Sequence, residues 1–239
     1  MKSLYSILFE GDEDQAHLKY RFKQKYDDLY KRINHTITPE HSILVVSMCG
    51  GKKNPDSRKD KVEAREMYIG PANQILNDNL PNLPVDWVIL SGGYGLMSQH
   101  AKINYYTDVV MELTKEKLHD MMDYLRYQRD LKKILEKGNY KKVIFTISDR
   151  WMYTLNLKEL AEAAGSGCEF ITFLTPQRLD DDDFEKPDNI TNIEMKKSFF
   201  KIFGAPRVSM KEKITTDYLK YIHENSDISI AEFINRQSN

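Results

Sequence analysis

Two short segments of this chain combine apolar strands with small, reactive-looking turns. Ser42-Ile43-Leu44-Val45-Val46 runs into Ser47-Met48-Cys49-Gly50-Gly51-Lys52-Lys53, and Trp87-Val88-Ile89-Leu90 runs into Ser91-Gly92-Gly93-Tyr94-Gly95-Leu96. Glycines beside lysines let backbone N–H groups and ammonium charge approach a phosphate together. The Walker spacing is absent, so the first turn is at most an unconventional cradle. Cys49 beside two lysines has the surroundings that favour a thiolate, although a lone cysteine at a strand end also serves as a small buried hydrophobe. Gly93-Tyr94-Gly95-Leu96-Met97-Ser98 imitates a dinucleotide fingerprint. That fingerprint requires a helix at its glycines, and Gln99–Tyr106 does not read as one. The second turn instead reads as a tight backbone path presenting Ser91 and Tyr94, or as a loop with Tyr94 packed over the core.

Three further groups lie near these turns. Tyr68 falls between them in sequence. Tyr105-Tyr106 could stack on a base, with one of the two rings expected to face the core. Ser148-Asp149-Arg150-Trp151 ends a third apolar strand. Asp149 there is a candidate general base, a partner for Arg150, or in its simplest role a helix N-cap. The six histidines show no metal spacing, and neither a G-x-S-x-G elbow nor an H-E-x-x-H motif occurs. No cofactor is expected. The run Asp180-Asp181-Asp182-Asp183 lacks the spacing and glycine of a calcium loop and reads as a solvated linker.

The elements that position these residues follow from apolar periodicity. Strands are expected at 42–46, 87–90, 142–147 and 168–174. Helices are expected between them: after Gly70 as far as Leu80, over Leu113–Lys137 with Thr114 as N-cap, and over Leu155–Ala164. This alternation predicts an α/β fold, a three-layer, mostly parallel sheet of at least four strands flanked by helices. Parallel strands would bring both turns to the carboxyl edge, where open α/β sheets bind ligands. Residues 1–40 read as a helical appendage. Over Asp14–Asn34, Leu18, Phe22, Tyr26, Leu29 and Ile33 form an apolar stripe, and Lys19, Lys23, Lys25 and Arg32 are among the residues of a basic face. Residues 41–178 form the expected core domain. Residues 179–239 read as an acidic linker followed by helices, Asp217–Asn225 and Ile228–Arg236 resembling a weak helix-turn-helix or a packing appendage.

Bulk properties agree with a soluble globular chain. Of 239 residues, 41% are hydrophobic and 30% charged, and 35 Lys+Arg against 36 Asp+Glu give a net charge of −1. Nucleic-acid binding would therefore have to rest on a local patch. No apolar stretch suffices to span a bilayer, so no membrane association is expected. The opening apolar run is short for a signal peptide and meets acidic residues at once. Two cysteines without C-x-x-C spacing fit reduced thiols and a cytoplasmic location.

Met48-Cys49-Gly50-Gly51-Lys52-Lys53, Ala64-Arg65-Glu66-Met67-Tyr68-Ile69-Gly70-Pro71 and Ile89-Leu90-Ser91-Gly92-Gly93-Tyr94-Gly95-Leu96, continuing to Ile103-Asn104-Tyr105-Tyr106, together resemble the YaaA-like superfamily. The likeness is to a branch pairing a Cys-x-x-x-Lys turn with a Leu-Ser-x-x-Tyr-Gly-Leu strand end. It departs from the family at Asn104-Tyr105-Tyr106, where Pro-Tyr is usual. The resemblance implies an α/β domain associated with DNA binding or modified-base metabolism. By analogy it implies a pocket of Ser47, Cys49, Lys52, Tyr68, Ser91, Tyr94 and Tyr105. A nucleic acid or nucleotide-like ligand is the expected partner, with chemistry at a glycosidic bond or modified base if the site is catalytic and Cys49 or Asp149 as its reactive group. The alternatives are a non-enzymatic, stress-related DNA-binding module using the basic N-terminal helix, and a thiol-dependent small-molecule enzyme using Cys49.

Overall fold

The computed structural model of the chain describes residues 37–52, 61–106, 114–181 and 184–238. The basic helix expected over Asp14–Asn34, together with Lys53, Asp182 and Asp183, lies outside the described residues.

In chain order the elements are β1 (Ile43–Met48), β2 (Val62–Glu63), α1 (Ala64–Met67) and α2 (Pro71–Asn79), then β3 (Asp86–Ser91), β4 (Gly95–Ser98) and β5 (Lys102–Ile103). Next come α3 (Lys115–Tyr124), α4 (Tyr127–Lys137), β6 (Lys142–Phe145), α5 (Asp149–Met152) and α6 (Leu157–Ala164). The chain continues through β7 (Glu169–Thr172), α7 (Pro176–Leu179), β8 (Ile190–Asn192), α8 (Phe199–Phe203), α9 (Met210–Glu224) and α10 (Ile230–Gln237).

The main sheet has six strands in the order β4-β3-β1-β6-β7-β8. All neighbours are parallel except β3 and β4. The central strands are continuous apolar runs because they are covered on both faces. Alternation divides them between two cores. Val46, Leu90, Phe145 and Phe170 face Leu118, Met121, Leu131 and Leu160 from α3, α4 and α6. Val45, Ile89, Ile144 and Ile171 face Leu76 of α2, Ile214 and Tyr218 of α9, and Phe233 of α10. Each fully buried side chain of this kind contributes about 1.5–3 kcal/mol. None of the helices among the described residues is long and apolar enough to cross a membrane.

The structure departs from the sequence reading in four places. The helix expected over Leu113–Lys137 is two helices, broken where Arg126 adopts φ 62°. Residues 190–192, at the junction of the expected acidic loop and helical tail, add β8 to the parallel sheet. The segment after Gly93 is an antiparallel edge strand, β4, which confirms that no helix starts at those glycines. At the tail, α9 begins seven residues earlier than the helix expected there, and it and α10 bury Ile214, Tyr218, Ile230 and Phe233 in the second core.

Candidate functional site

The two turns meet as the parallel arrangement requires. Ser47 pairs with Ile89 and Met48 with Leu90, and the Cys49 N–H donates to the Leu90 carbonyl at 2.8 Å. From β1 the chain moves to β3 on one side and then returns past β1 to β6 on the other. This reversal puts the topological switch point at the carboxyl end of β1.

The first turn is pinned against the segment before α2. The Ile69 N–H donates to the Gly51 carbonyl at 2.7 Å, and Lys52 and Tyr68 form an antiparallel bridge. Asn73, buried on α2, donates from Nδ2 to the Met48 carbonyl at 3.1 Å. Pro71 opens α2 at a position where its missing N–H costs nothing. That start places Asn73 in the first turn of α2, over the end of β1.

The second turn is organised around the Ser91 hydroxyl. Tyr68 donates to Ser91 Oγ at 2.8 Å, Ser91 Oγ lies 2.7 Å from the Tyr106 hydroxyl, and the two tyrosine oxygens are 2.9 Å apart. The Gly93 and Tyr94 N–H groups also point at Ser91 Oγ, at 3.4 and 3.3 Å. Tyr127 on α4 donates to the Ser91 carbonyl. Tyr94 packs edge-on against Tyr106, and its hydroxyl exchanges hydrogen bonds with the Asn104 backbone. A Cβ on Gly93 would stand 2.5 Å from the Tyr106 ring, so only glycine fits there. Gly95 has φ 79°, the left-handed region that leads the chain back into β4.

Burial separates the expected site residues into two groups. Ser91, Tyr68, Tyr94 and Tyr106 are 0–5% exposed, and Ser47 is 2% exposed. Ser47 accepts from Trp87 Nε1 at 2.8 Å and so orients a core indole. Tyr68 and Tyr94 therefore offer no open ring face, and stacking on a base has no accessible surface to act through at either residue. Cys49, Lys52 and Tyr105 are half-buried at the rim. Cys49 Sγ accepts from the Gly92 N–H at 3.5 Å. The Lys52 ammonium stands over the Tyr106 ring at 4.4 Å, a contact worth about 0.5–2 kcal/mol. The other thiol, Cys168, is buried, which pushes its pKa up to about 11 and keeps it protonated.

Asp149 belongs to a different group at the ends of β6 and β7. Ser148 occupies the N-cap position of α5 and Asp149 is its first helical residue, so the simple capping role moves back by one. The Asp149 carboxylate accepts from the Thr175 hydroxyl at 2.6 Å and the Thr175 N–H at 3.3 Å. Nearby, Lys211 donates to the Ile147 carbonyl at 2.9 Å, and burial lowers its pKa against the opposing charges of Asp149 and Glu212. Glu212 is buried in the first turn of α9, where desolvation pushes its carboxyl up to about 7. His100, the histidine nearest the turns in sequence, is exposed beside Glu63.

Tyr106, Tyr127 and Asn73 complete the site but were not singled out in the sequence. Only Tyr106 left a signal there, as one half of a tyrosine pair. Among the described residues, no group of three or more His, Cys, Asp or Glu side chains is gathered to hold a metal ion.

The fold and site define a three-layer α/β protein whose most elaborate hydrogen-bonded cluster sits at the carboxyl edge of a mostly parallel sheet. No family model, curated protein or solved structure matches the chain. The likeness to the YaaA-like superfamily rests on the quoted motifs alone.

Proposed function

We propose that the paired turns form the ligand site of a nucleobase- or nucleic-acid-directed protein of the YaaA-like type. The observation that carries this reading is the Lys52 ammonium, held over the Tyr106 ring at the rim of the Ser91 cluster. Lys52 supplies the phosphate contact, Tyr105 supplies the stacking ring, and the buried hydroxyl cluster fixes both turns. A catalytic form of the site, acting on a modified base or glycosidic bond, draws on Cys49, the half-buried thiol at the same rim. Asp149 is engaged with Thr175 and serves there as a positioning group. Titration of nucleoside monophosphates by calorimetry tests this reading. Tyr105→Ala should weaken binding by about 1–3 kcal/mol, the range for a base–aromatic stack. Equal affinity in the variant would remove the stacking role.

The burial of Ser91, Tyr68 and Tyr94 favours a second reading, a binding module without catalysis. Its main contact would be the basic N-terminal segment. Deleting residues 1–38 should abolish oligonucleotide binding under that reading and leave mononucleotide binding intact under the first.

A further inference from the structure

A second cavity, of about 430 Å³, is lined by α3 and by the segments that follow β6 and β7. Arg178 lines it and is only 4% exposed. Its guanidinium is held between two rings, 4.0 Å from the centre of Tyr153 and 4.8 Å from that of Phe184. Asp181 Oδ2 lies 3.5 Å from Nη1, and the same carboxylate accepts from the Tyr153 hydroxyl. Neither Nε nor Nη1 has a hydrogen-bond partner. A buried guanidinium with unfilled donors is unfavourable unless oxygen lone pairs are supplied to it. The planar fork of arginine matches carboxylate and phosphate oxygens. The two rings fix that fork before any ligand arrives.

The remaining walls narrow the ligand. Met122, Leu155 and Leu157 provide an apolar ground, and His119 stands exposed on α3. Asp123 and Glu185, also exposed, line the cavity and repel a polyanion. Ligand cavities start at roughly 300 Å³, so the space admits a small metabolite.

We propose that this cavity binds a small molecule carrying a single oxyanion, a carboxylate or a phosphate monoester, docked on Arg178 with its apolar body over Met122, Leu155 and Leu157. The inference is independent of the role given to Lys52.

The full-length chain should be titrated by calorimetry with benzoate and with phenyl phosphate. Saturable binding of either supports the proposal, and the stronger of the two identifies the oxyanion. Arg178→Gln should weaken that binding about tenfold or more. If this variant does not fold, His119→Trp decides, since it changes an exposed side chain and puts a bulky ring on the cavity wall. A tenfold loss in that variant supports the proposal, and unchanged affinity overturns it. The proposal is also overturned if wild-type protein binds neither probe, or if folded Arg178→Gln binds as wild type does.

Discussion

The Ser91 hydroxyl lies 2.7 Å from the Tyr106 phenol, and Tyr68 closes a triangle with both. Each hydroxyl carries one proton. Run in one direction, from Tyr68 to Ser91 to Tyr106 and back, three protons satisfy three bonds. The ring joins the end of β3 to the segment before α2 and to the chain beyond β5. It therefore fixes the geometry between the first turn and the second.

Removing the hub should cost stability. Ser91→Ala leaves the two phenols bonded to each other but takes an acceptor from the Gly93 and Tyr94 N–H groups. A loss of about 1–3 kcal/mol is expected from the urea midpoint. Tyr106→Phe should cost less, about 1 kcal/mol, because Tyr68 and Ser91 remain paired. Unchanged midpoints would show that the ring contributes no stability.

Gly93→Ala tests the close approach between the second turn and Tyr106. The added methyl would meet the ring at 2.5 Å, and the contact involves the edge of a packed aromatic side chain. Destabilisation of about 1–3 kcal/mol is expected, with a change in the near-UV circular dichroism of the displaced tyrosines. A native spectrum and midpoint would mean that Tyr106 yields freely.

Glu212 gives the fold a pH dependence. Its carboxyl is raised from 4.5 to about 7, mainly by burial, with Lys211 and Thr146 opposing. The folded state thus holds a proton that the unfolded state releases first. Stability should be greatest at or below pH 4.5, as far as this group is concerned, and should fall as pH rises to about 7. The full difference is of order 3 kcal/mol. Glu212→Gln should remove this slope and be more stable than wild type at pH 8. Parallel pH profiles for the two proteins in urea unfolding would contradict the assignment.

Asp86 ties the amino ends of the strands together. Its carboxylate accepts from the Glu40 and His41 N–H groups and from the Tyr140 hydroxyl at 2.8 Å. Burial and the adjacent carboxylate push the Tyr140 pKa upward, so the phenol stays a donor. Tyr140→Phe should lower the unfolding free energy by about 1–3 kcal/mol, the range for a bond to a charged acceptor. An unaltered urea midpoint would show that the remaining donors compensate.

The four strands that carry the sheet were legible because burial on both faces makes them continuous apolar runs. Ile43-Leu44-Val45-Val46 and Val143-Ile144-Phe145 need no alternation. β8 was not legible, because Ile190-Thr191-Asn192 is a short, half-buried edge segment with two polar residues of three. The break at Arg126 carries neither glycine nor proline, so nothing local announces it. At the site, the turns and Tyr68 could be read from strand ends and motif spacing. The choice of Tyr106 over Tyr105 as the partner of Ser91 depends on β5 and on the space that Gly93 leaves, which only tertiary contact reveals.

The central claim is most directly tested at Lys52. Fluorescence anisotropy of a labelled single-stranded oligonucleotide, read across a salt series, compares wild type with Lys52→Ala. The account predicts weaker binding and a log–log salt slope shallower by about 0.7, one phosphate contact on a single strand. Identical affinities and slopes would contradict it.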